Sequence, residues 1–367
     1  MEDIKIVSCE EESGRKRLVA AMQDEKGTVL SKGSFTFIGS KFGKTFVKAM
    51  TAGGVATQVE NRRGGNVRRI FDHMYRLAIE EGAGVSILHP FSFAYYNKFG
   101  YERVADHIIA RFPTRLIDFV PRRCNFVPYR EEMLSDMIRI YNEFAKGRNL
   151  LLARINDATY LNKQTYICYD GAEPIAYIAY TVSKTLAINH YTDTLLTVQE
   201  MAYTSPKGLY EIFSFLRMFE GEFDEIELRD CGIYTEVDLL LRHYTHTKYT
   251  ILPDLSAKLL NSEIMLKANV YPEKEGAFTV RIEDDLPTVG GVYSVTYGGG
   301  EGIVKRLDNS ADADLSITSA SFTRLIYGYD PLDKASIKYL RGVEVYSDNE
   351  DIFRAFPKRA CGIFEHF

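Results

Sequence analysis

Apolar residues in the first third of the chain follow two different periods. Across Asn66–Glu81 they share one helical face, and Gly82 is a natural helix stop. The stretches on either side, Thr45–Val59 and Gly84–Leu88, read as strands. The order strand, helix, strand predicts a β-α-β unit.

The residues around this unit predict a mixture of both elements. Ile4–Ser8 reads as a strand, Glu10–Gln23 as a helix, and Ser34–Gly39 as the start of a hairpin. The middle of the chain has a similar order, which indicates an internal structural repeat. Its predicted elements are a helix at Glu131–Lys146, strands at Tyr166–Tyr169 and Ile175–Val182, and a helix at Leu209–Phe219.

The pattern changes from about Ile251, where short strands and helices indicate a separate α+β unit. The predicted strands are Phe278–Ile282, Gly291–Tyr297 and Gly302–Leu307, and the predicted helices are Ser319–Tyr327 and Pro331–Tyr339. A chain of 367 residues is long for one hydrophobic core. We therefore expect an α/β and α+β protein with three domains, at 1–122, 123–250 and 251–367.

Composition and charge narrow the classes of function. The formal net charge of −5 argues against nucleic-acid binding and suits cationic small molecules. No stretch approaches the roughly 20 apolar residues of a membrane helix, and the N-terminus is acidic, so we expect a cytoplasmic protein without a membrane partner. The cysteines stand singly, without metal-site or redox spacing, which predicts free thiols: Cys9, Cys124, Cys168, Cys231 and Cys361.

The segment Gly54–Arg69 carries the clearest chemical signal. A strand leads into a turn and a helix leaves it, so the free N–H groups of the first helical turn form an anion site. Gly64 and Gly65 allow close approach of a phosphate, and three arginines supply charge suited to pyrophosphate: Arg62, Arg63 and Arg68. The alternative is an ordinary basic helix N-terminus beside a glycine turn.

This segment resembles the acetyl-CoA-binding motif of the GNAT acetyltransferases, R/Q-x-x-G-x-G/A after a strand that reads Val-Ala-Thr. Arg62 and Gly65 match the motif, and Val67 replaces its final small residue. Downstream, Tyr96-Asn-Lys-Phe-Gly-Tyr101 is similar to the Y-x-[KR]-[FY]-G-Y motif of the Eis (enhanced intracellular survival) family. The last residues, Ile363-Phe-Glu-His-Phe367, are similar to the aromatic and acidic C-terminus of that family.

The resemblance covers nearly the whole chain. It implies tandem GNAT domains, the central one without its own cofactor site, followed by a sterol-carrier-protein-like domain. It also implies an N-acetyltransferase that moves an acetyl group from acetyl-CoA to a primary amine, on an aminoglycoside-like molecule, a polyamine or lysine, without a metal ion. Family members assemble into rings, so we expect a homo-oligomer, either a hexamer or a trimer. The part before the cofactor strand is shorter than the family leads us to expect.

The resemblance also implies the site residues. Val55 and the backbone beside it are expected to bind the pantetheine arm and the acetyl carbonyl. His89 helps to shape the amine pocket, although a single strand-end histidine is often only structural. The other expected cofactor contacts are Ala56, Thr57, Arg62, Arg63, Gly64, Gly65, Asn66, Val67, Arg68 and Asn97.

Two groups are implied to move protons. Tyr96 is the expected general acid, because a phenol with a pKa of ~10 stays protonated at neutral pH; the alternative is one packed aromatic among several. The terminal carboxylate of Phe367 is the expected general base, a role that needs burial or nearby negative charge to raise its pKa. The alternative for Phe367 is a frayed chain end in solvent.

Two other functions remain open. The chain could be an acyl-CoA or lipid-binding module without turnover, marked by coenzyme A binding or bound lipid. It could be a nucleic-acid-associated acetyltransferase, which the acidic balance weakens. His243 and His246 have a spacing compatible with metal binding but no partner ligand nearby in sequence, so a surface pair is the simpler interpretation.

Overall fold

The computed structural model describes residues 4–12, 14–154, 164–186, 192–230, 236–241, 244–330, 333 and 335–367. Within these ranges twelve strands form one sheet, in the order β1-β2-β3-β4-β5-β13-β6-β12-β11-β10-β9-β7. The strands up to β13 are β1 Ile4–Glu12, β2 Arg15–Gln23, β3 Val29–Phe42, β4 Thr45–Thr57, β5 Val85–Leu88, β6 Glu102–Pro113, β7 Phe126–Pro128, β8 Arg148–Asn149, β9 Gln164–Asp170, β10 Glu173–Leu186, β11 Thr192–Tyr203, β12 Glu225–Leu228 and β13 Lys248–Leu259. The helices over the same part are α1 Asn66–Glu80, α2 Phe93–Tyr96, α3 Leu134–Phe144, α4 Pro206–Arg217 and α5 Val237–Leu240.

The predicted β-α-β unit is confirmed. Strands β4 and β5 are parallel, with Ala49–Ala52 opposite Val85–Leu88, and α1 connects them. Helix α1 buries Ile70, Phe71 and Met74, which lie on one face of the helix because of its 3.6-residue period, in the core beneath it. This core holds the start of the helix, and therefore the glycine turn before it, in a defined place.

The helix predicted at Glu10–Gln23 is wrong, because these residues belong to the hairpin of β1 and β2. Gly14 adopts a left-handed φ of 82° next to the point where Glu12 pairs with Arg15. Glu11 lies opposite Lys16, so opposite charges face each other across the strands. The apolar residues of β2 therefore pack in the core as residues of a strand, where a helix was predicted.

The same order of elements occurs twice in the large sheet. Each copy contains three consecutively paired antiparallel strands, then a helix, then a strand that is parallel to the third strand. The first copy is β2-β3-β4-α1-β5 and the second is β9-β10-β11-α4-β12. Strand β13 inserts between β5 and β6, and it crosses position 250, where the sequence suggests a boundary. The division into three domains stays a prediction.

The C-terminal part forms a five-stranded sheet in the order β16-β15-β14-β17-β18. Its elements are α6 Ser262–Ala268, β14 Gly276–Glu283, β15 Gly291–Gly298, β16 Glu301–Leu307, β17 Leu315–Thr318, α7 Ser319–Tyr327, β18 Val343–Val345, α8 Asp351–Ala355 and β19 Ala360–Cys361. The three strands and the helix Ser319–Tyr327 predicted here are confirmed. The helix predicted at Pro331–Tyr339 is not present over the described part, which has only a 3₁₀ turn at Ile337–Tyr339; Pro331, Leu332 and Lys334 lie outside it.

Several simpler expectations can be placed on the structure. Cys9, Cys124, Cys168 and Cys361 are free thiols, while Cys231 and His243 lie outside the described residues. Across the described ranges no group of three or more His, Cys, Asp or Glu side chains is arranged to hold a metal ion. None of the helices in those ranges has the length and apolar character needed to cross a bilayer.

Candidate active site

Strand β4 loses one neighbour halfway along its length. Its pairing with β5 ends at Ala52, opposite Leu88, whereas its pairing with β3 continues to Thr57. Over the described residues no strand pairs with the other edge of Gly53–Thr57. The backbone groups of this edge are therefore available to another partner.

A cavity of about 780 Å³ lies along this end of β4 and against the first turn of α1. Gly65 is the N-cap of α1, with a left-handed φ of 79°, and no acidic residue occupies the first turn. A methyl group at Gly65 would meet open space, so a ligand can approach the helix N-terminus there. The free N–H groups of the turn and the positive end of the helix dipole make this part of the cavity suited to an anion.

Most of the residues predicted to bind the cofactor come together around this cavity. Those that line it are Val55, Ala56, Thr57, Arg62, Arg63, Gly65, Asn66, Val67 and Arg68. Gly64 lies in the same turn but does not line the cavity. Arg68 donates to the carbonyl of Lys98 at 2.6 Å and stacks over Phe99, so this arginine ties the helix to the opposite wall.

The opposite wall is the aromatic segment that contains α2. Phe91, Tyr95, Lys98 and Phe99 line the cavity, and Tyr96 does not. The ring of Tyr96 is 4% exposed and contacts the rings of Phe91 and Tyr95. Burial, with a contribution from Tyr95, raises the pKa of Tyr96 to about 12.

Asn97 serves the local turn. With its amide nitrogen turned toward the backbone, it donates to the carbonyls of Phe93 at 2.9 Å and Tyr101 at 3.0 Å. Its side chain thereby closes the aromatic turn between α2 and β6. Asn97 does not line the cavity.

The C-terminus of the chain lies against the edge of β4. A methyl group at Gly53 would overlap the carboxyl carbon of Phe367 and stand 2.7 Å from its oxygen. Only a residue without a Cβ allows this approach. The carboxyl group of Phe367 therefore lies where β4 parts from β5, at a glycine two residues before Val55, which lines the cavity.

His89 connects the end of β5 to this tail. Its Nδ1 lies 2.8 Å from Asp254 Oδ1 and its Nε2 lies 3.0 Å from the carbonyl oxygen of Glu365. A carbonyl oxygen can only accept, so Nε2 is the donor to Glu365. Burial opposes ionisation of Asp254, but its contact with His89 outweighs burial and lowers the pKa of the carboxyl.

The corresponding helix in the second copy of the repeat, α4, begins differently. The N-cap of α4 is Ser205, whose side chain accepts from the N–H of Gly208, and Pro206 at the first turn has no N–H to offer. Lys207 in the same turn is paired with Asp170. The N-terminus of α4 thus has fewer free donors than that of α1, where neither cap nor acid intervenes.

Several residues of the site were not singled out from the sequence. Lys98 lies within the recognised motif and could have been found there. Gly53, Asp254 and Glu365 come from distant parts of the chain and meet only through the fold. Glu365 lies in the aromatic and acidic C-terminus that resembles the Eis family, whereas no local pattern marks Gly53 or Asp254.

Comparisons with known proteins agree with this geometry. Residues 10–104 match the acetyltransferase (GNAT) domain family. No curated protein sequence matches the chain. The cavity, α1 and α2 all lie within the matched residues.

Solved structures show the same fold over nearly the whole chain. A GCN5-related N-acetyltransferase from Anabaena variabilis is 16% identical, with a TM-score of 0.82 over 95% of this chain and 89% of its own. A GCN5-related N-acetyltransferase from Kribbella flavida is 17% identical, with a TM-score of 0.80 over 96% and 87%. Eis1 from Mycobacterium abscessus is 16% identical, with a TM-score of 0.76 over 95% and 91%. The predicted mixed α/β, GNAT-like fold is confirmed.

Proposed function

We propose that this acetyltransferase, which carries a GNAT domain at residues 10–104, moves an acetyl group from acetyl-CoA to a primary amine, with Tyr96 as general acid and the Phe367 carboxylate as general base. The observation that carries the proposal is the terminal carboxyl of Phe367 against Gly53, on the strand edge beside the cavity. The acceptor is an aminoglycoside-like molecule, a polyamine or a lysine side chain.

The residues around the cavity fit acetyl-CoA. The uncapped start of α1, with Arg62 and Arg63 beside it, suits the pyrophosphate. The unpaired edge of β4 at Val55 suits an amide-bearing arm that hydrogen-bonds like a strand. When bound, acetyl-CoA supplies the thioester from which the acetyl group leaves.

The chain's own groups account for the two protons. The Phe367 carboxylate accepts the proton that the amine loses as its nitrogen forms the new bond to the acetyl carbon. Tyr96, whose pKa is raised to about 12, is protonated at neutral pH and donates to the sulfur as the C–S bond breaks. An N-acetylated amine and free coenzyme A result.

Finer features of the proposal rest on the likeness to Eis1 from Mycobacterium abscessus. We propose an Eis-like enzyme with a sterol-carrier-protein-like C-terminal domain at 251–367, assembled as a homo-oligomer. A monomer by light scattering at micromolar concentration would count against the assembly. Free thiols at Cys168 and Cys361 support a cytoplasmic location.

Release of free coenzyme A tests the function. Purified protein is mixed with acetyl-CoA and a panel of aminoglycosides, polyamines and lysine peptides, and the background without amine is subtracted. Amine-dependent release, with acetylated product found by mass spectrometry, supports the proposal. Tight coenzyme A binding without turnover of any amine would favour the binding-module alternative.

Arg62→Met is expected to raise the Kd for coenzyme A about tenfold, because one charge-assisted hydrogen bond is worth roughly 1.5 kcal/mol. Isothermal titration at low and high salt measures it, and the effect is expected to shrink with salt. Arg76→Met is the matched control, since Arg76 is an exposed arginine of the same helix that does not line the cavity. Equal losses in both variants would contradict the assignment.

Gly53→Ala is expected to lower kcat about 10²-fold, because the new methyl group displaces the carboxylate by more than the ~1 Å that positioning tolerates. Gly298→Ala serves as control: its methyl would stand 3.0 Å from Cγ of Glu275, in the five-stranded sheet. Unchanged turnover in folded Gly53→Ala would show that the carboxylate is not needed where it lies.

A further inference from the structure

A buried cluster of charged and phenolic side chains lies beside the C-terminal tail, outside the residues that line the cofactor cavity. The guanidinium of Arg154 is 2.7 Å from Glu200 Oε2 and 3.1 Å from Glu365 Oε1. The hydroxyl of Tyr177 donates to Glu200 at 2.5 Å, and the guanidinium lies over the ring of Tyr141. The side chains of Arg154, Glu200 and Glu365 are all less than a tenth exposed.

The cluster joins distant parts of the chain. Glu200 and Tyr177 belong to β11 and β10 in the middle of the chain, whereas Glu365 is in the C-terminal tail. The tail also packs Phe364 against Tyr141 and Phe144 of α3. Phe364 and Glu365 therefore contact the half of the molecule that contains the second copy of the repeat.

Among the arginine and the two glutamates of the cluster, Arg154 and Glu200 form a pair and Glu365 stands beside it. Glu200 accepts from both Arg154 and Tyr177, so Arg154 and Glu200 form a hydrogen-bonded ion pair. Glu365 contacts Arg154, but none of the described residues donates a directed hydrogen bond to its carboxyl oxygens. Burial, outweighing the charge of Arg154, raises the pKa of Glu365 above its ordinary value.

Glu365 is held from two sides. Its side chain meets Arg154, and its backbone carbonyl accepts from His89 Nε2 at 3.0 Å. Two residues of extended chain reach at most about 7 Å, so holding Glu365 restricts where the carboxylate of Phe367 can lie. A general base must be held within a fraction of an ångström of its productive position.

We infer that Arg154 is a positioning residue: braced by Glu200, it holds the Glu365 side chain and so keeps the Phe367 carboxylate at Gly53. The inference rests on the proposed function for its catalytic consequence. The middle of the chain therefore holds the C-terminal tail, whose Phe367 carboxylate acts beside the cavity in the first part of the chain.

Glu365→Ala tests the inference without disturbing the Arg154–Glu200 pair. We expect kcat to fall about 10²-fold, with the Kd for coenzyme A within about twofold because no group in the cofactor cavity changes. Carboxypeptidase A, followed by mass spectrometry, should remove Phe367 faster than from the natural chain. Glu365→Gln keeps the shape of the side chain and an oxygen that faces Arg154, and it is expected to restore both properties.

Arg154→Met is expected to act like Glu365→Ala. Arg217→Met is its control, because Arg217 holds the backbone carbonyls of Asp118 and Val120 in the same half of the sheet, away from the tail. Equal loss of kcat in Arg217→Met at equal melting temperature would indicate a general stability effect and overturn the inference.

Two further outcomes are decisive. Natural kcat in Glu365→Ala, or a tail as resistant to carboxypeptidase as in the natural chain, would overturn the inference. If the natural protein turns over no amine, the proposed function fails, and the carboxypeptidase comparison alone still decides whether Arg154 holds the tail.

Discussion

Tyr96→Phe is expected to lower kcat about 10³-fold, within the range for loss of a general acid, and to leave the Kd for coenzyme A nearly unchanged. The substitution removes only a hydroxyl, and the ring keeps its contacts with Phe71, Phe91 and Tyr101. Because the pKa of Tyr96 is raised to about 12, the phenol stays protonated through pH 9. No alkaline decline of kcat below pH 9 should therefore originate from Tyr96. Steady-state rates of coenzyme A release, together with titration calorimetry, measure these effects.

Tyr95→Phe is the matched comparison for that experiment. Tyr95 is half-buried and lines the cavity, whereas Tyr96 contacts the ring of Tyr95 and does not line the cavity. We expect Tyr95→Phe to change kcat less than fivefold, since a phenol without a proton to transfer contributes at most a hydrogen bond of roughly 1 kcal/mol. The reverse order of effects would move the acid role from Tyr96 to Tyr95.

The region around the cofactor cavity could be predicted from sequence because its signals are local. The helical period of α1, the glycine turn before it and the strand ahead of it are read from neighbouring residues. Short-range chemistry determines where the free N–H groups point. The same holds for the hairpin of β15 and β16.

Failures occurred where two local signals competed. Glu10–Gln23 was predicted as a helix, yet Gly14 and the facing charges favour a hairpin. The segment forms a strand because β2 pairs with both β1 and β3, and β3 lies outside the segment. Strand pairing is less visible in a short window than a helical period.

The contacts that complete the site depend on long-range topology. Gly53 and Phe367 come from opposite ends of the chain, and Asp254 reaches His89 only because β13 inserts beside β5. Arg154 and Glu365 are likewise far apart in sequence. A resemblance to the Eis family suggested the role of the C-terminus, but the residues that hold it there required the structure.

Replacing the terminal carboxylate of Phe367 by a carboxamide, through ligation of a synthetic C-terminal peptide, is expected to lower kcat about 10³-fold by removing the general base. The carboxamide keeps the aromatic ring beside His89 and nearly the same shape against Gly53, so coenzyme A binding should be unchanged. Protein ligated with the natural carboxylate is the control for the chemistry. A three-residue extension after Phe367 should have a similar effect on turnover, because it moves the terminal charge away from β4. Full activity of the carboxamide protein would mean that another group accepts the amine proton, and the close approach at Gly53 would then be a structural contact of the tail.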